Sequence, residues 1–252
     1  MHPVRIGSLR LNISGRDDAL ELIRRSVTSP GAAPACLGFL NPHVYNQGVT
    51  HPPVAAFLER CDAVCLDGIG ATIAASLFAR ACLDRVIMYQ LFDFSIAAGL
   101  VRGPVVLFGL SPEEITSAAR ELRRTAPMAD FVAVHHGFHQ DQEYRAILQD
   151  HADASLLLVG MGSPRSERIL LLASEICHRA LCWHVGGGTL RQWAGTKRRA
   201  PAIVTQLGLE WLHRMRFEPP TRTRYTTGIP LFVRNLLSAA PPRATGAPND
   251  IL

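Results

Sequence analysis

The sequence contains a single lysine, Lys197, although lysine and arginine together number 26. Its six cysteines include no C-x-x-C pair and mostly lie in apolar runs, where a thiol behaves as a small hydrophobe. No apolar run reaches the roughly 20 residues that a membrane-spanning helix needs. No continuous apolar segment opens the chain, so a secretory signal is not expected. These absences favour a reduced, globular chain, and we expect it in the cytoplasm.

Positive charge is concentrated toward the C-terminus. From Arg191 onward ten basic residues face three acidic ones, a net charge of +7 against +5 for the whole chain. Because all but one of these basic residues are arginines, most of the charge is guanidinium, which forks onto phosphate oxygens better than ammonium does. We therefore expect phosphate chemistry near this part of the chain.

Short apolar runs alternate with segments of helical periodicity along most of the chain. This order predicts an α/β, Rossmann-like fold, in which a mostly parallel sheet carries helices on both faces. Strands are predicted at Ala35–Leu40, Ala63–Leu66, Val105–Gly109, Phe131–Val134, Ser155–Gly160 and Leu181–Val185. Helices are predicted at Asp17–Val27, Pro53–Arg60, Ala71–Ala81, Phe92–Leu100, Pro112–Thr125, Asp141–Asp150 and Ser166–His178.

The strand pattern stops after Gly195, where a helical, arginine-rich segment begins. We predict an α/β domain over residues 1–195 and a C-terminal appendage over residues 196–240. Residues 241–252 are rich in proline, alanine and glycine, which predicts a disordered tail.

Candidate ligand-binding turns follow the predicted strands, at the edge of the sheet where such folds bind ligands. Asp67 ends one strand, although an aspartate before a glycine is by itself more often a turn former. Glycine-rich turns follow three other strands, at Gly109, at Gly160–Gly162 and at Gly186–Gly188. Glycines let phosphate oxygens approach backbone N–H groups. Together the turns predict a phosphate-bearing ligand.

An ordered set of motifs from Asn41 to Leu237 resembles the WecG/TagA/CpsF family of glycosyltransferases. The most specific block is Gly208-Leu209-Glu210-Trp211-x-x-Arg214, followed by Glu218-Pro219. The other motifs are Leu40-Asn41-Pro42, Asp67-Gly68-Ile69-Gly70, His136-Gly137-Phe138, Gly160-x-Gly162-x-Pro164-Arg165-x-Glu167, Gly186-Gly187-Gly188, Ala194-Gly195 with Arg199-Ala200-Pro201, and Arg222-x-Arg224-Tyr225.

The resemblance implies an inverting, metal-independent transfer from a UDP-sugar, such as UDP-N-acetylmannosamine, to a polyprenyl-diphosphate-linked acceptor in surface polysaccharide assembly. It implies no cofactor and no nucleic-acid partner, and leaves a homo-oligomer possible. The sequence has no two aspartates at positions i and i+2, the D-x-D pair with which many sugar transferases hold a divalent cation. The histidines of His135–His139 are expected to be loop residues near a ligand, because the glycine among them breaks helical spacing.

Site residues follow from the motifs. The resemblance makes Asp67 the catalytic base and places Arg165 and Glu167 at the nucleotide-sugar edge, with Asn41 orienting the sugar or the acceptor. The first domain would hold the donor, while the appendage would contribute arginines and dock on the inner face of the cell membrane. The remaining expected substrate-binding residues are Gly68, Gly109, Gly137, Gly162, Gly187, Arg199, Glu210, Arg214, Arg222 and Arg224.

Within the appendage, Ile229–Leu237 is too short to span a bilayer but is predicted to present leucine, phenylalanine and valine to a membrane. The alternative is that these side chains cover the core or a subunit interface.

The sequence departs from the family pattern at Phe39, Met88-Tyr89-Gln90, Ser166 and Leu190-Arg191, and we expect these changes at the sugar or acceptor pocket. Two other functions therefore stay open. One is a glycosyltransferase of the same fold acting on a soluble acceptor, such as a nucleoside or another secondary metabolite. The other is a non-catalytic nucleotide-binding protein, against which the retained Asp67 argues.

Overall fold

The computed structural model describes residues 2–29 and 33–238, and an eight-stranded sheet forms its centre. The strands are β1 (His2–Ile6), β2 (Leu9–Ile13), β3 (Ala35–Leu40), β4 (Ala63–Leu66), β5 (Gly103–Gly109), β6 (Ala129–His135), β7 (Leu156–Gly160) and β8 (Leu181–His184). Their order is β1-β2-β4-β3-β8-β7-β5-β6, and only the β1–β2 pair is antiparallel. The predicted α/β class and mostly parallel sheet are confirmed.

Helices cover both faces of the sheet and form the C-terminal segment. Those up to residue 193 are α1 (Arg16–Thr28), α2 (Pro42–Thr50), α3 (Pro52–Arg60), α4 (Ile69–Ala79), α5 (Met88–Ala97), α6 (Pro112–Thr125), α7 (Asp141–Asp150), α8 (Arg165–Ile176) and α9 (Gly187–Trp193). The later ones are α10 (Ala202–Gln206), α11 (Glu210–Phe217), α12 (Arg222–Thr226) and α13 (Gly228–Ser238), with a 3₁₀ turn at Pro219–Thr221.

Local sequence explains why the central elements form. Every residue of β3, β4, β7 and β8 is buried, because helices cover the sheet on both faces and leave no solvent side for alternation. Helix α6 begins with a capping box, in which the Ser111 hydroxyl accepts from the backbone of Glu114 and Pro112 occupies the first turn. Five of the six cysteines are buried, and none forms a disulfide.

Four elements were not predicted. The β1–β2 hairpin turns at Gly7, and β2 alternates buried and exposed residues over only five positions. Helix α2 begins at Pro42 and contains Gly48, and both residue types resemble loop signals in the sequence. Helix α9 begins within the glycine run Gly186–Gly188, which alone indicates a turn.

The C-terminal segment is helical, as expected, and α13 packs against α2. The Asn46 amide donates to the Gly228 carbonyl at 2.8 Å and accepts from the Asn235 side chain at 3.1 Å. The Phe232 ring lies edge-on to Tyr45, with centroids 5.2 Å apart.

The prediction that this helix turns its phenylalanine to a membrane is therefore wrong, because Phe232 covers the core. Val233 and Leu237 remain exposed. The boundary at residue 195 stays a prediction, and the predicted disordered tail at 241–252 lies outside the described residues.

Candidate active site

A cavity of about 420 Å³ lies between the ends of β3 and β4 and the C-terminal helices. These strands are parallel neighbours with Leu40 opposite Leu66, so the residues that follow them come together. Six of the predicted site residues line the cavity: Asn41, Asp67, Gly68, Glu210, Arg214 and Arg224. The sheet supplies the first three, whereas the C-terminal helices supply the others.

Backbone geometry fixes the carboxylate on the cavity floor. The Asp67 N–H donates to the Leu40 carbonyl at 2.9 Å, which extends the strand pairing by one residue. The Asn41 side-chain oxygen caps α2 by accepting from the Val44 N–H at 2.9 Å. Gly68 has φ +103° and ψ 152°, which side-chain-bearing residues avoid, and it leaves the backbone beside Asp67 bare.

The Asp67 carboxylate is desolvated but well supported. Burial raises the pKa of Asp67, while the Arg214 charge, hydrogen bonds from Met88 and Asn41, and the Arg85 charge act in the opposite direction. The Met88 N–H lies 3.4 Å from its Oδ1. A carboxyl group whose pKa is raised above its ordinary value is a better proton acceptor when ionised, which suits a general base.

A second carboxylate shares the cavity. Burial raises the pKa of Glu210, and the nearby Asp67 charge adds to this shift. The Arg85 guanidinium lies 3.9 Å from the Glu210 carboxylate and also donates to the Thr205 carbonyl at 2.6 Å. Arg85 therefore ties α10 and α11 to the end of β4.

Arg214 is the cation that the C-terminal helices bring to Asp67. Burial opposes its charge, but Tyr225, Asp67 and Glu218 outweigh this effect and raise the pKa of Arg214. A fully charged guanidinium therefore lies in the cavity beside the carboxylate.

His43 also lines the cavity and was not among the predicted site residues. Burial and the Arg224 charge lower its pKa, which favours the neutral imidazole. It directly follows the Asn41-Pro42 motif, and this neighbourhood was the only sequence signal for it.

The glycine turns form a separate group at the ends of β5, β7 and β8. A Cβ added to Gly109 would lie 2.5 Å from the Gly160 carbonyl oxygen, and one added to Gly160 would lie 2.9 Å from that of Gly186. A Cβ on Gly187 would lie 3.2 Å from the Gly160 oxygen. Close backbone packing thus requires glycine at 109 and 160, whereas the backbone at Gly162 is open.

Arg165 joins two of the predicted motifs. Its guanidinium donates to the Gly137 carbonyl at 2.5 Å and lies 5.5 Å from the centre of the Phe138 ring. Glu167, by contrast, is fully buried, accepts from the Ser163 hydroxyl and lies 3.6 Å from His184 Nδ1. Its side chain therefore contacts the Ser163 turn and has no exposed surface, and its place at the nucleotide-sugar edge stays a prediction.

Neither Arg199 nor Arg222 lines the cavity. Arg199 pairs with Asp93 at 2.5 Å and lies 5.5 Å from the Tyr89 ring centre. The Arg222 side chain donates to the Met215 carbonyl at 2.8 Å. Both arginines contact protein groups around the site.

Three of the four departures from the family pattern lie near the glycine turns, whereas the fourth begins at Met88, beside Asp67. The Phe39 ring lies 4.5 Å from that of His184 and would be 3.4 Å from a Cβ on Gly186. The Ser166 hydroxyl accepts from the Met161 N–H at 3.0 Å. Arg191 lies 3.4 Å from Glu114. These changes lie in or beside the glycine turns.

Among residues 2–29 and 33–238, no three histidine, cysteine, aspartate or glutamate side chains are grouped to hold a metal ion. The rings of His136 and His139 stack with centroids 4.1 Å apart, and burial lowers the pKa of His139.

The chain matches the glycosyl transferase WecG/TagA/CpsF family over residues 4–245. This range includes the sheet except for its first two residues, the cavity and the C-terminal helices, so the match covers both groups of elements that form the candidate site. The family accounts for a nucleotide-sugar donor and an acceptor as the two substrates, and the resemblance inferred from the motifs is confirmed. The chain therefore belongs to the WecG/TagA/CpsF family of glycosyltransferases.

Proposed function

We propose that the protein is an inverting, metal-independent glycosyltransferase that moves a hexose, such as an N-acetylmannosamine-like sugar, from a UDP-sugar to a polyprenyl-diphosphate-linked acceptor in surface polysaccharide synthesis. The observation that carries this proposal is the half-buried Asp67 carboxylate in the cavity, with Arg214 from α11 lining the same cavity and acting on it. A sheet residue and an appendage residue thus meet in one site.

In the proposed reaction, Asp67 takes the proton of the acceptor hydroxyl while that oxygen attacks the anomeric carbon of the donor. The bond from the anomeric carbon to the diphosphate oxygen breaks, and UDP leaves with that electron pair. Arg214 and Arg224, which both line the cavity, would stabilise the charge that develops on the diphosphate. Asn41, beside Asp67, would orient the sugar or the acceptor.

The nucleotide would extend toward the glycine turns. Arg165, Gly137 and Phe138 already contact one another there, and Gly162 leaves its backbone open. The Phe138 ring is exposed and could stack on a base. Gly109 and Gly187 would contribute by allowing the turns to pack closely.

An apolar surface beside the cavity supports a lipid-linked acceptor and a peripheral membrane contact. Ile69 and Trp211 line the cavity itself, and the Ile69 side chain lies 3.5 Å from the Cβ position of Gly208. Helices α4 and α11 therefore meet at the cavity, and Gly208 lies between α11 and α10. Exposed apolar side chains on or directly beside these three helices include Ile69, Ile73, Leu77, Ile203, Leu207, Trp211 and Leu212.

Such an apolar surface with arginines nearby is the composition that an anionic membrane attracts. No helix of the described residues is long and apolar enough to cross a bilayer. We propose that α4, α10 and α11, more than α13, contact the inner face of the cell membrane.

The test is UDP release from a panel of UDP-sugars, measured with a polyprenyl-diphosphate-linked sugar, with a water-soluble acceptor and with neither. We expect turnover that requires the lipid acceptor. Turnover with a soluble acceptor alone would favour a glycosyltransferase of the same fold that acts on a soluble acceptor. Nucleotide binding without any transfer would identify a non-catalytic protein.

A further inference from the structure

Lys197, the only lysine of the chain, lies where the sheet domain meets the C-terminal helices. Its ammonium group is 3.1 Å from the Glu218 carboxylate, and only 13% of its side chain is exposed. The same nitrogen would be 3.4 Å from a Cβ on Gly188, so it lies over the glycine turn that begins α9. This ion pair joins the loop after α9 to the residue that ends α11.

Glu218 connects Lys197 to the cavity. Its backbone N–H donates to the Arg214 carbonyl at 2.7 Å, and its carboxylate acts on the Arg214 charge. Arg214 in turn acts on Asp67. Four groups of alternating charge therefore follow one another: Lys197, Glu218, Arg214 and Asp67.

We propose that Lys197 is a positioning residue, which holds the Glu218 carboxylate and thereby leaves Arg214 directed at Asp67. The inference rests on the proposed role of Asp67 as the base. A half-buried carboxylate that loses its partner is drawn to the nearest remaining cation. Arg214 is such a cation, because it also lines a second, smaller cavity together with Lys197 and Glu218 and already interacts with the Glu218 carboxylate.

The other ionisable groups near Asp67 are not linked to it through the Lys197–Glu218 ion pair. They are Arg85 beside the end of β4, Glu210 on α11 and the Cys65 thiol on β4, together with three groups that line the same cavity as Asp67, His43, Arg224 and Tyr225. Lys197 and Glu218 do not line the cavity, so their replacement leaves its walls unchanged. A change in the pKa of Asp67 in these variants would therefore come from the altered charges next to Arg214.

Replacing Lys197 and replacing Glu218 should shift the pKa of Asp67 in opposite directions. In Lys197→Met the unpaired Glu218 competes for Arg214, which raises the pKa of Asp67 and moves the acid limb of the activity profile to higher pH. In Glu218→Gln both cations remain without that competitor, which lowers the pKa of Asp67 and moves the limb to lower pH. Each shift should be roughly 0.5–1 pH unit, a fraction of the effect of a directly adjacent charge.

The experiment measures kcat/KM for UDP release against pH in the wild type, both single variants and the double variant. Lys197→Arg, which keeps the charge, should retain most of the wild-type profile. Arg179→Met is the control, because it removes an arginine that pairs with Asp153 at 3.5 Å on an exposed surface. It should leave the profile unchanged. The double variant should lie between the two single variants.

Shifts in the same direction for Lys197→Met and Glu218→Gln, or an unshifted limb in both, would overturn the inference. Hydrogen exchange of residues 210–226, measured without substrate, provides a readout that is independent of activity. Faster exchange in Lys197→Met than in Arg179→Met is expected, and equal rates would count against the positioning role. If the wild type transfers no sugar, the proposed function has failed, whereas this exchange comparison still tests the ion pair.

Discussion

The two sides of the candidate site differ in how their residues act. On the cavity side, at the ends of β3 and β4, ionisable groups face open space, and α11 supplies the cation. On the glycine-turn side, at the ends of β5, β7 and β8, backbones pack so closely at Gly109 and Gly160 that a methyl group has no room. The same kind of strand end therefore supports chemistry in one place and close packing in the other. Substitutions should affect activity on the first side and stability on the second.

The largest effect is expected at the cavity floor. Asp67→Asn keeps the size of the side chain and its hydrogen bond from Met88 but removes the base. Turnover should fall by a factor on the order of 10² to 10⁴, the usual contribution of a positioned acid or base. UDP release and thermal unfolding should be measured together. Turnover within about twofold of the wild type would remove Asp67 from the mechanism.

The opposite behaviour is expected for Gly109→Ala. The new methyl group would meet the Gly160 carbonyl oxygen at 2.5 Å, and backbone cannot move aside as a side chain can. The free energy of unfolding should fall by about 1–3 kcal/mol, as in other overpacked sites. Gly188→Ala is the control, because its methyl group would meet only the Lys197 nitrogen, at an ordinary van der Waals distance of 3.4 Å. Equal unfolding midpoints for the two variants would contradict the packing argument.

The pH dependence of activity should reveal the raised pKa of Asp67. A base works in its ionised form, so activity should rise with pH through an acid limb that lies above the ordinary range of an aspartate. Arg214→Gln removes the largest influence that lowers this pKa, so the limb should move to still higher pH. A limb that stays in place in Arg214→Gln would show that Arg214 does not act on the base.

Membrane binding should depend on the surface beside the cavity more than on α13. Replacing Ile203, Leu207 and Leu212 with serine should weaken flotation with anionic vesicles, and high salt should weaken it further. The matched control replaces Val233 and Leu237 with serine, which removes exposed apolar area from α13 instead. A larger loss of flotation in the control would show that α13 makes the main membrane contact.

The smallest effect is expected from chelation. Because arginines would stabilise the leaving diphosphate in place of a cation, activity should survive EDTA within about twofold. Complete loss with EDTA, restored by Mg²⁺ or Mn²⁺, would contradict the proposed mechanism.

Sequence reasoning was strongest for the central strands. The apolar runs at Ala35–Leu40 and Ala63–Leu66 coincide with β3 and β4, because strands covered on both faces need no polar alternation. Prediction from the sequence was weakest where one residue belongs to a motif or a turn and also begins a helix. Pro42 lies in the Leu40-Asn41-Pro42 motif but also begins α2, and the glycines at 186–188 predicted a turn but also begin α9.

By itself, the sequence determined the α/β class, the family motifs and the position of Asp67 at a strand end, since these depend on local periodicity and on order along the chain. Only the tertiary structure decided which predicted residues meet. It brought Arg214 to Asp67 across a separation of 147 positions, buried Glu167 and Phe232, and paired Lys197 with Glu218. These outcomes depend on burial and on charges brought together by packing, and neither quantity is a property of any local stretch of sequence.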